Sequence, residues 1–122
     1  MICNFKMKPE SEDDEDKKGG GIDSFVEKQF IEQRKIIISE SINQKVAEKV
    51  IKTLFLLDGI DNTKPITVII NSPGGEVFSG FAIYDIMRLI KSPVVTLVTG
   101  FAASMGSIIM LGSKKGKRYA TA

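Results

Sequence analysis

The sequence contains no histidine and only one cysteine, and these two features narrow the chemistry open to it. Without histidine, the chain lacks both the usual proton acceptor at neutral pH and the commonest metal ligand. A single thiol at Cys3 cannot form an intrachain disulfide, so we expect a reducing compartment. The amino terminus turns acidic instead of entering an apolar run, which argues against a secretory signal and favours a cytoplasmic location.

The sequence also has no large excess of either charge, since it contains 17 basic and 15 acidic residues and its formal net charge is +2. Neither a nucleic acid nor a membrane is therefore expected as a partner. Charge is nevertheless clustered, because residues 10–16 include six acidic side chains and are followed by two lysines and three glycines. We predict that residues 1–21 form a solvated acidic tail and linker, and that residues 22–122 form one domain. An acidic arm that binds a basic partner is the less favoured interpretation.

The one long uncharged run, from Ser92 to Ser113, has the length of a membrane-spanning helix. It contains Pro93 and Gly100, however, and its first half is rich in β-branched residues. This composition predicts a buried strand, a turn and a buried helix.

Short apolar runs alternate with helical stripes along the predicted domain. We predict strands at 36–38, 66–70, 94–98 and from 119, and helices from about 22, over 44–57, over 78–90 and over 102–111. Such alternation is typical of an α/β fold in which parallel strands are joined by right-handed crossovers and are buried on both faces.

Local signals predict the ends of these helices. Ser24 with Glu27, and Ser41 with Gln44, have the spacing of capping boxes at helix starts. Asp58-Gly59 is predicted to end the second helix. The basic run from Lys114 to Arg118 is predicted to be a solvated turn; a phosphate contact is the alternative.

Ser104 is the first residue that suggests chemistry, because it lies where a strand is predicted to turn into a helix. A hydroxyl there is close to unpaired backbone N–H groups and the positive end of the helix dipole. The small residues around it would admit a substrate backbone. The alternative is a serine used only for packing or capping.

The segment Asn71-Ser72-Pro73-Gly74-Gly75 is predicted to follow a parallel strand, at the sheet edge where α/β folds bind ligands. Two glycines after a proline permit a turn whose amides point outward, as an oxyanion hole requires. An ordinary strand-to-helix turn would have the same composition.

Four segments in this order resemble the Clp protease proteolytic subunit family. They are Asn71–Gly75, Gly80-Phe81-Ala82-Ile83-Tyr84-Asp85, Ala102-Ala103-Ser104-Met105-Gly106 and Gly116-Lys117-Arg118-Tyr119. The resemblance extends from about Arg34 to Ala122. It implies a crotonase-like α/β fold and a serine peptidase that assembles as two stacked seven-membered rings and receives unfolded polypeptides from an AAA+ ATPase.

The resemblance also assigns roles to residues of this chain. Ser104 would be the nucleophile, and the backbone N–H groups of Gly75 and Met105 would form the oxyanion hole. Gly75, Glu76 and Val77 would run beside the substrate as an extra strand. No cofactor or metal is implied, since ATP would be used by the partner ATPase.

The family's catalytic histidine and aspartate follow the Gly-Lys-Arg segment, and the 122 residues include neither. We therefore expect this polypeptide to be inactive alone, and to be poorly soluble or oligomeric because it exposes a sheet edge and apolar surface. Two alternatives stay open. One is a non-catalytic subunit of a mixed ring; the other, less favoured because its chemistry needs no serine at position 104, is a crotonase-type acyl-CoA enzyme.

Overall fold

Four parallel strands form a single sheet in the order in which they occur along the chain. The computed structural model describes residues 20–122, so most of the predicted acidic tail lies outside the described residues. The elements are α1 (Gly20–Glu32), β1 (Lys35–Ile38), α2 (Gln44–Ile60), β2 (Ile66–Ser72), α3 (Val77–Leu89), β3 (Val94–Ala102), α4 (Met105–Met110) and β4 (Arg118–Ala120). The predicted alternation of strands and helices, and the α/β class, are confirmed.

The strand register gives the sheet two chemically different edges. Ile36 pairs with Val68, Ile66 with Val94, and Leu97 with Tyr119. Because all the strands are parallel, they begin at one edge, called here the amino edge, and end at the other, called the carboxyl edge. Ligands of open parallel sheets bind at the carboxyl edge.

Only one face of the sheet is fully buried, which corrects the expectation that both would be. Alternate strand residues such as Ile38, Val68 and Ile70 are buried in the core, which also contains Leu54 of α2 and Ile83 of α3. Connections of one hand between neighbouring strands carry α2, α3 and α4 to the same face. Residues on the other face are apolar but partly exposed, for example Ile37 at 47%. The solubility of the isolated chain stays a prediction.

Three predicted helix boundaries are wrong. Helix α1 begins at Gly20, inside the predicted linker and before the predicted cap Ser24. Helix α2 is capped by Asn43 and not by Ser41, because the Asn43 side chain accepts a 2.9 Å hydrogen bond from Val46 N. This helix also continues through Gly59 to Ile60, and tertiary contacts at its end override the local stop signal.

A network of side chains closes the amino edge of the sheet. The Arg34 guanidinium donates to the carbonyl oxygens of Leu57 at 2.9 Å, Asp61 at 2.7 Å and Lys64 at 3.0 Å. One oxygen of Asp58 accepts hydrogen bonds from Ser92 N at 2.9 Å and Ser92 Oγ at 2.8 Å. These bonds hold the end of α2 and the start of β3 against the segment that leads into β1.

The uncharged run forms β3 and α4, as predicted, although β3 continues to Ala102 and α4 is shorter than expected. In the part of the chain that the structure describes, every helix is too short or too polar to cross a bilayer.

Candidate active site

Two neighbouring strands end together at the carboxyl edge and bring the predicted site residues into one place. Ser72, the last residue of β2, pairs with Ala102, the last residue of β3. The glycine loop 73–76 follows the first strand, and Ala103 and Ser104 follow the second. Segments thirty residues apart in sequence are thus adjacent because parallel strands place their ends at the same edge.

Ser104 forms a strained turn between β3 and α4. Its φ of 51° and ψ of −122° lie in a region that non-glycine residues rarely adopt, and α4 begins at the next residue. Helix α4 was predicted to begin at Ala102, but Ala102 belongs to β3. Strain of this kind, about 1–3 kcal/mol per residue, is concentrated at functional sites.

The side chain of Ser104 has neither of the structural roles considered as alternatives. The residue is exposed, so it does not fill the core. It makes no side-chain capping bond to α4, and within residues 20–122 its hydroxyl has no hydrogen-bond partner. The turn therefore presents a free hydroxyl at the sheet edge.

The glycine loop lies directly against this turn. A Cβ atom added to Gly74 would stand 2.9 Å from Ser104 Cβ and 2.9 Å from Met105 N, so only glycine permits the approach. Gly74 and Gly75 have φ values of 95° and 153°, which L side chains disfavour. The two glycines are thus required both by the backbone conformation and by the closeness of the two segments.

Ser72 joins the loop to the turn through both its side chain and its main chain. Its buried Oγ donates to the Glu40 carbonyl at 2.7 Å and accepts from Gly74 N at 3.1 Å. Its own carbonyl accepts a 3.0 Å bond from Ala103 N, one residue before Ser104. The sequence analysis did not single out this role, although a serine before Pro-Gly-Gly is a known type of turn former.

Backbone pairing with Ile42 decides which loop amides are free. Ile42 N donates to the Gly74 carbonyl at 2.8 Å, and Glu76 N donates to the Ile42 carbonyl at 2.9 Å. Since extended backbone alternates its polar groups, the N–H and carbonyl of Gly75 face away from Ile42. In the described residues, neither Gly75 N nor Met105 N donates to another group of the chain. Two unpaired amides therefore accompany the free hydroxyl.

The extra strand expected at 75–77 is shorter than predicted. Glu76 is extended, with φ −66° and ψ 129°, but Val77 is the first residue of α3. Val77 and Phe78 are instead exposed on the first turn of that helix, at 53% and 89%. Only Gly75 and Glu76 have the backbone conformation that could pair with an extended peptide.

The lysines after α4 do not approach Ser104. Lys114 and Lys117 lie beside Ser92 and Pro93, at the start of β3 and hence at the amino edge. Helix α4 separates them from Ser104. The sequence contains no histidine, and within residues 20–122 the lysines that follow α4 are not placed to accept the proton of the Ser104 hydroxyl.

Comparison with known proteins identifies the family. A family model described as Clp protease matches residues 19–122. The chain belongs to the Clp protease family. The segments that carried the resemblance, including the loop and the turn of the candidate site, lie within the matched residues, and the expected fold of this family is confirmed.

Several relatives of this Clp protease family member are proteolytic subunits by name. The chain is 47% identical over 97 residues to the ATP-dependent Clp protease proteolytic subunit 1 of Chlamydia pneumoniae, covering 80% of this chain and 51% of that protein. It is 39% identical over 110 residues to proteolytic subunit 2 of Treponema denticola, covering 90% and 54%. The chain spans about half the length of the curated relatives it matches.

The same similarity is found among solved structures. A point mutant of ClpP1 from Listeria monocytogenes superimposes with a TM-score of 0.74 at 41% sequence identity, covering 78% of this chain and 55% of that one. The sheet and its helices therefore match a Clp protease fold in three dimensions as well as in sequence.

Proposed function

We propose that this chain is part of a proteolytic subunit that hydrolyses peptide bonds through an acyl-enzyme on Ser104. The observation that carries the proposal is the free hydroxyl of Ser104, exposed in a strained turn and packed against Gly74, with the unpaired amides of Gly75 and Met105 beside it. A nucleophile beside fixed amides is the arrangement that acyl transfer requires.

In the proposed reaction, Ser104 Oγ attacks the carbonyl carbon of the scissile peptide bond. Negative charge moves to the carbonyl oxygen, where the Gly75 and Met105 N–H groups stabilise it by about 3 kcal/mol per donor. When the intermediate collapses, the carbon–nitrogen bond breaks, the proton taken from Ser104 is returned to the departing amine, and the acyl group stays on Ser104 as an ester. Water then hydrolyses this ester, releasing the acid and restoring the Ser104 hydroxyl. The reaction uses no metal or cofactor.

The proton of Ser104 needs an acceptor. The sequence contains no histidine, and in the described residues the lysines after α4 lie at the other edge, so we propose that another segment or subunit supplies this group. Residues 1–122 alone are therefore expected to bind peptide without cleaving it.

Substrate recognition is proposed to use the main chain. The free N–H and carbonyl of Gly75 can pair with an extended peptide, a contact that tolerates many side chains. Unfolded polypeptides fit this site because their backbone is available. By analogy with the relatives named as ATP-dependent subunits, an AAA+ ATPase would deliver the substrate to a seven-membered ring in the cytoplasm.

The absence of an internal base favours a second candidate, a non-catalytic subunit of a mixed ring. An acyl-CoA enzyme of the crotonase type would also use paired amides, but it would need neither the exposed hydroxyl nor the strained backbone of Ser104.

The test supplies the missing base. The chain is fused to the part of the Chlamydia pneumoniae subunit that follows the aligned region, and the fusion is treated with a fluorophosphonate probe and a fluorogenic peptide. We expect labelling and hydrolysis that Ser104→Ala abolishes and that Ser39→Ala, a change at another exposed serine, leaves unchanged. An assembled fusion that reacts with neither reagent would overturn the proposal and favour the non-catalytic subunit.

A further inference from the structure

A basic cleft of about 360 Å³ opens at the amino edge, at the end of the sheet opposite Ser104. The ends of α3 and α4 and the start of β3 form its walls. Its charged lining residues are Arg88, Lys91, Lys114 and Lys117, and no acidic residue lines it. Within residues 20–122, none of these four side chains forms an ion pair or a hydrogen bond.

Nearby negative charge does not cancel these cations. Asp58 lies close to Lys91, and its pKa is held below the usual range by hydrogen bonds from Ser92 and, to a smaller extent, by the charge of Lys91. The ends of α3 and α4 add partial charges of about −0.5 each. The four cations contribute about four positive charges, and the Asp58 carboxylate and the two helix ends together contribute about two negative charges. The cleft therefore has a net charge of roughly +2.

The charge of the cleft therefore suits an anionic ligand, and its volume limits the size of the ligand that can enter. A volume of 360 Å³ is at the small end of ligand sites, which range from about 300 to 1,000 Å³. It admits a few side chains of an extended chain rather than the surface of a folded domain. Exposed Lys114 and Lys117 at its rim would extend the contact along such a chain.

The chain itself contains a peptide of matching charge. Six of the seven residues from Glu10 to Asp16 are acidic. The proposed peptidase chemistry uses neither this acidic segment nor the basic cleft.

The position of α1 prevents the acidic segment as a whole from filling the cleft of its own molecule. Glu27 of α1 contacts Lys49 in the first half of α2, so α1 runs from the carboxyl edge toward the amino edge. Gly20 is therefore near the carboxyl edge, separated from the amino edge by about 18 Å, the length of the 13-residue helix. Asp16 precedes Gly20 by four residues, which span at most about 14 Å, so only residues farther from Gly20, such as Glu10, could extend to the cleft of the same molecule. The whole segment can enter the cleft only from a second molecule.

We propose that the basic cleft of one molecule binds the acidic segment 10–16 of a second copy of this chain. The contact would be electrostatic and would join copies independently of the active site. Its strength would fall with added salt, because exposed charges are screened, whereas association through apolar surface would persist.

The first test measures binding of a fluorescein-labelled peptide of residues 8–18 to the full chain by fluorescence anisotropy. We expect affinity to fall about tenfold between 50 and 300 mM NaCl, and again about tenfold in the double variant K91E/K117E. The control K28E/K45E makes the same change of net charge at exposed lysines outside the cleft and should bind as the unmodified chain does. Equal binding by the two double variants would overturn the proposal.

A charge exchange tests the contact between whole molecules. Sedimentation velocity should show that D13K/D14K/D16K and R88E/K91E/K117E each lose the salt-sensitive association, and that mixing the two restores it. Association that neither variant changes would contradict the proposal. Binding of inorganic polyphosphate at the cleft, without binding of the peptide, would replace the acidic segment by a phosphate ligand and would equally overturn it.

Discussion

The two edges of the sheet are held together by different kinds of contact. At the carboxyl edge, loop and turn are held together by main-chain groups, and Gly74, Gly75 and Ser104 have positive φ values. At the amino edge, side chains hold the connections, through the fork of Arg34 and the Asp58–Ser92 pair. The contrast explains how the carboxyl edge keeps two amides free: hydrogen bonds to Ile42 and Ser72 hold one side of the loop, and close packing of Gly74 against Ser104 fixes the side on which the Gly75 and Met105 amides are unpaired.

The comparison predicts that the carboxyl edge tolerates added atoms worst. In Gly75→Ala, the new Cβ would stand 2.2 Å from the Ile42 carbonyl oxygen, a backbone atom that cannot rotate away. Together with the unfavourable φ of 153°, we expect a loss of about 3–5 kcal/mol in the free energy of unfolding, measured in urea. Gly116→Ala is the matched control, since its φ is 87° but nothing lies within 4 Å of the new atom. It should cost only about 1 kcal/mol; similar losses in both would show that contact with Ile42 is unimportant.

At the amino edge, the largest expected effect comes from removing a donor. Arg34→Ala removes three hydrogen bonds, to the carbonyl oxygens of Leu57, Asp61 and Lys64, and we expect a loss of about 3 kcal/mol in the free energy of unfolding, at about 1 kcal/mol per bond. Arg34 has a φ of 59°, which glycine adopts without strain. Arg34→Gly should therefore be no more destabilised than Arg34→Ala in thermal unfolding. A much larger loss in the glycine variant would contradict this account of the strain.

The smallest effect is expected for Asp58→Asn, and it depends on pH. Hydrogen bonds from Ser92 lower the pKa of Asp58 in the folded chain. The ionised form is thus favoured by folding, so its stabilisation is present above the unfolded pKa of about 3.9 and is lost as the pH falls through the folded pKa. We expect the variant to lose about 1 kcal/mol at pH 7 and to match the unmodified chain in strong acid. Asp85→Asn, the same change at an exposed residue outside this network, is the control and should change stability at pH 7 by much less than Asp58→Asn does. A constant difference for Asp58→Asn at all pH values would refute the charge-based explanation.

Much of the fold and the outline of the site were predictable from local pattern. The three apolar runs lie within β1, β2 and β3, and Ser104 and the glycine loop occupy the strand ends at which they were expected. Hydrophobic periodicity and the positions of glycines are local properties, so they can be recognised in a single sequence. The helix ends at Gly20, Asn43 and Ile60 were not predicted, because their partners are distant or because two cap residues compete within a few positions.

The sequence alone determined the alternation of strands and helices. It also determined that a serine and two adjacent glycines follow the ends of strands. Both depend on hydrophobic periodicity and backbone flexibility, which are properties of each residue and its nearest neighbours. Only the tertiary structure decided which amides are free, because Ile42 has to form hydrogen bonds with one side of the glycine loop before the amide on the other side is left unpaired. It also decided that Arg34 joins groups from 23 to 58 positions away, and that the basic residues gather in a cleft facing away from Ser104. Contacts between residues far apart in sequence depend on how the elements pack together, and that packing is a property of the whole chain.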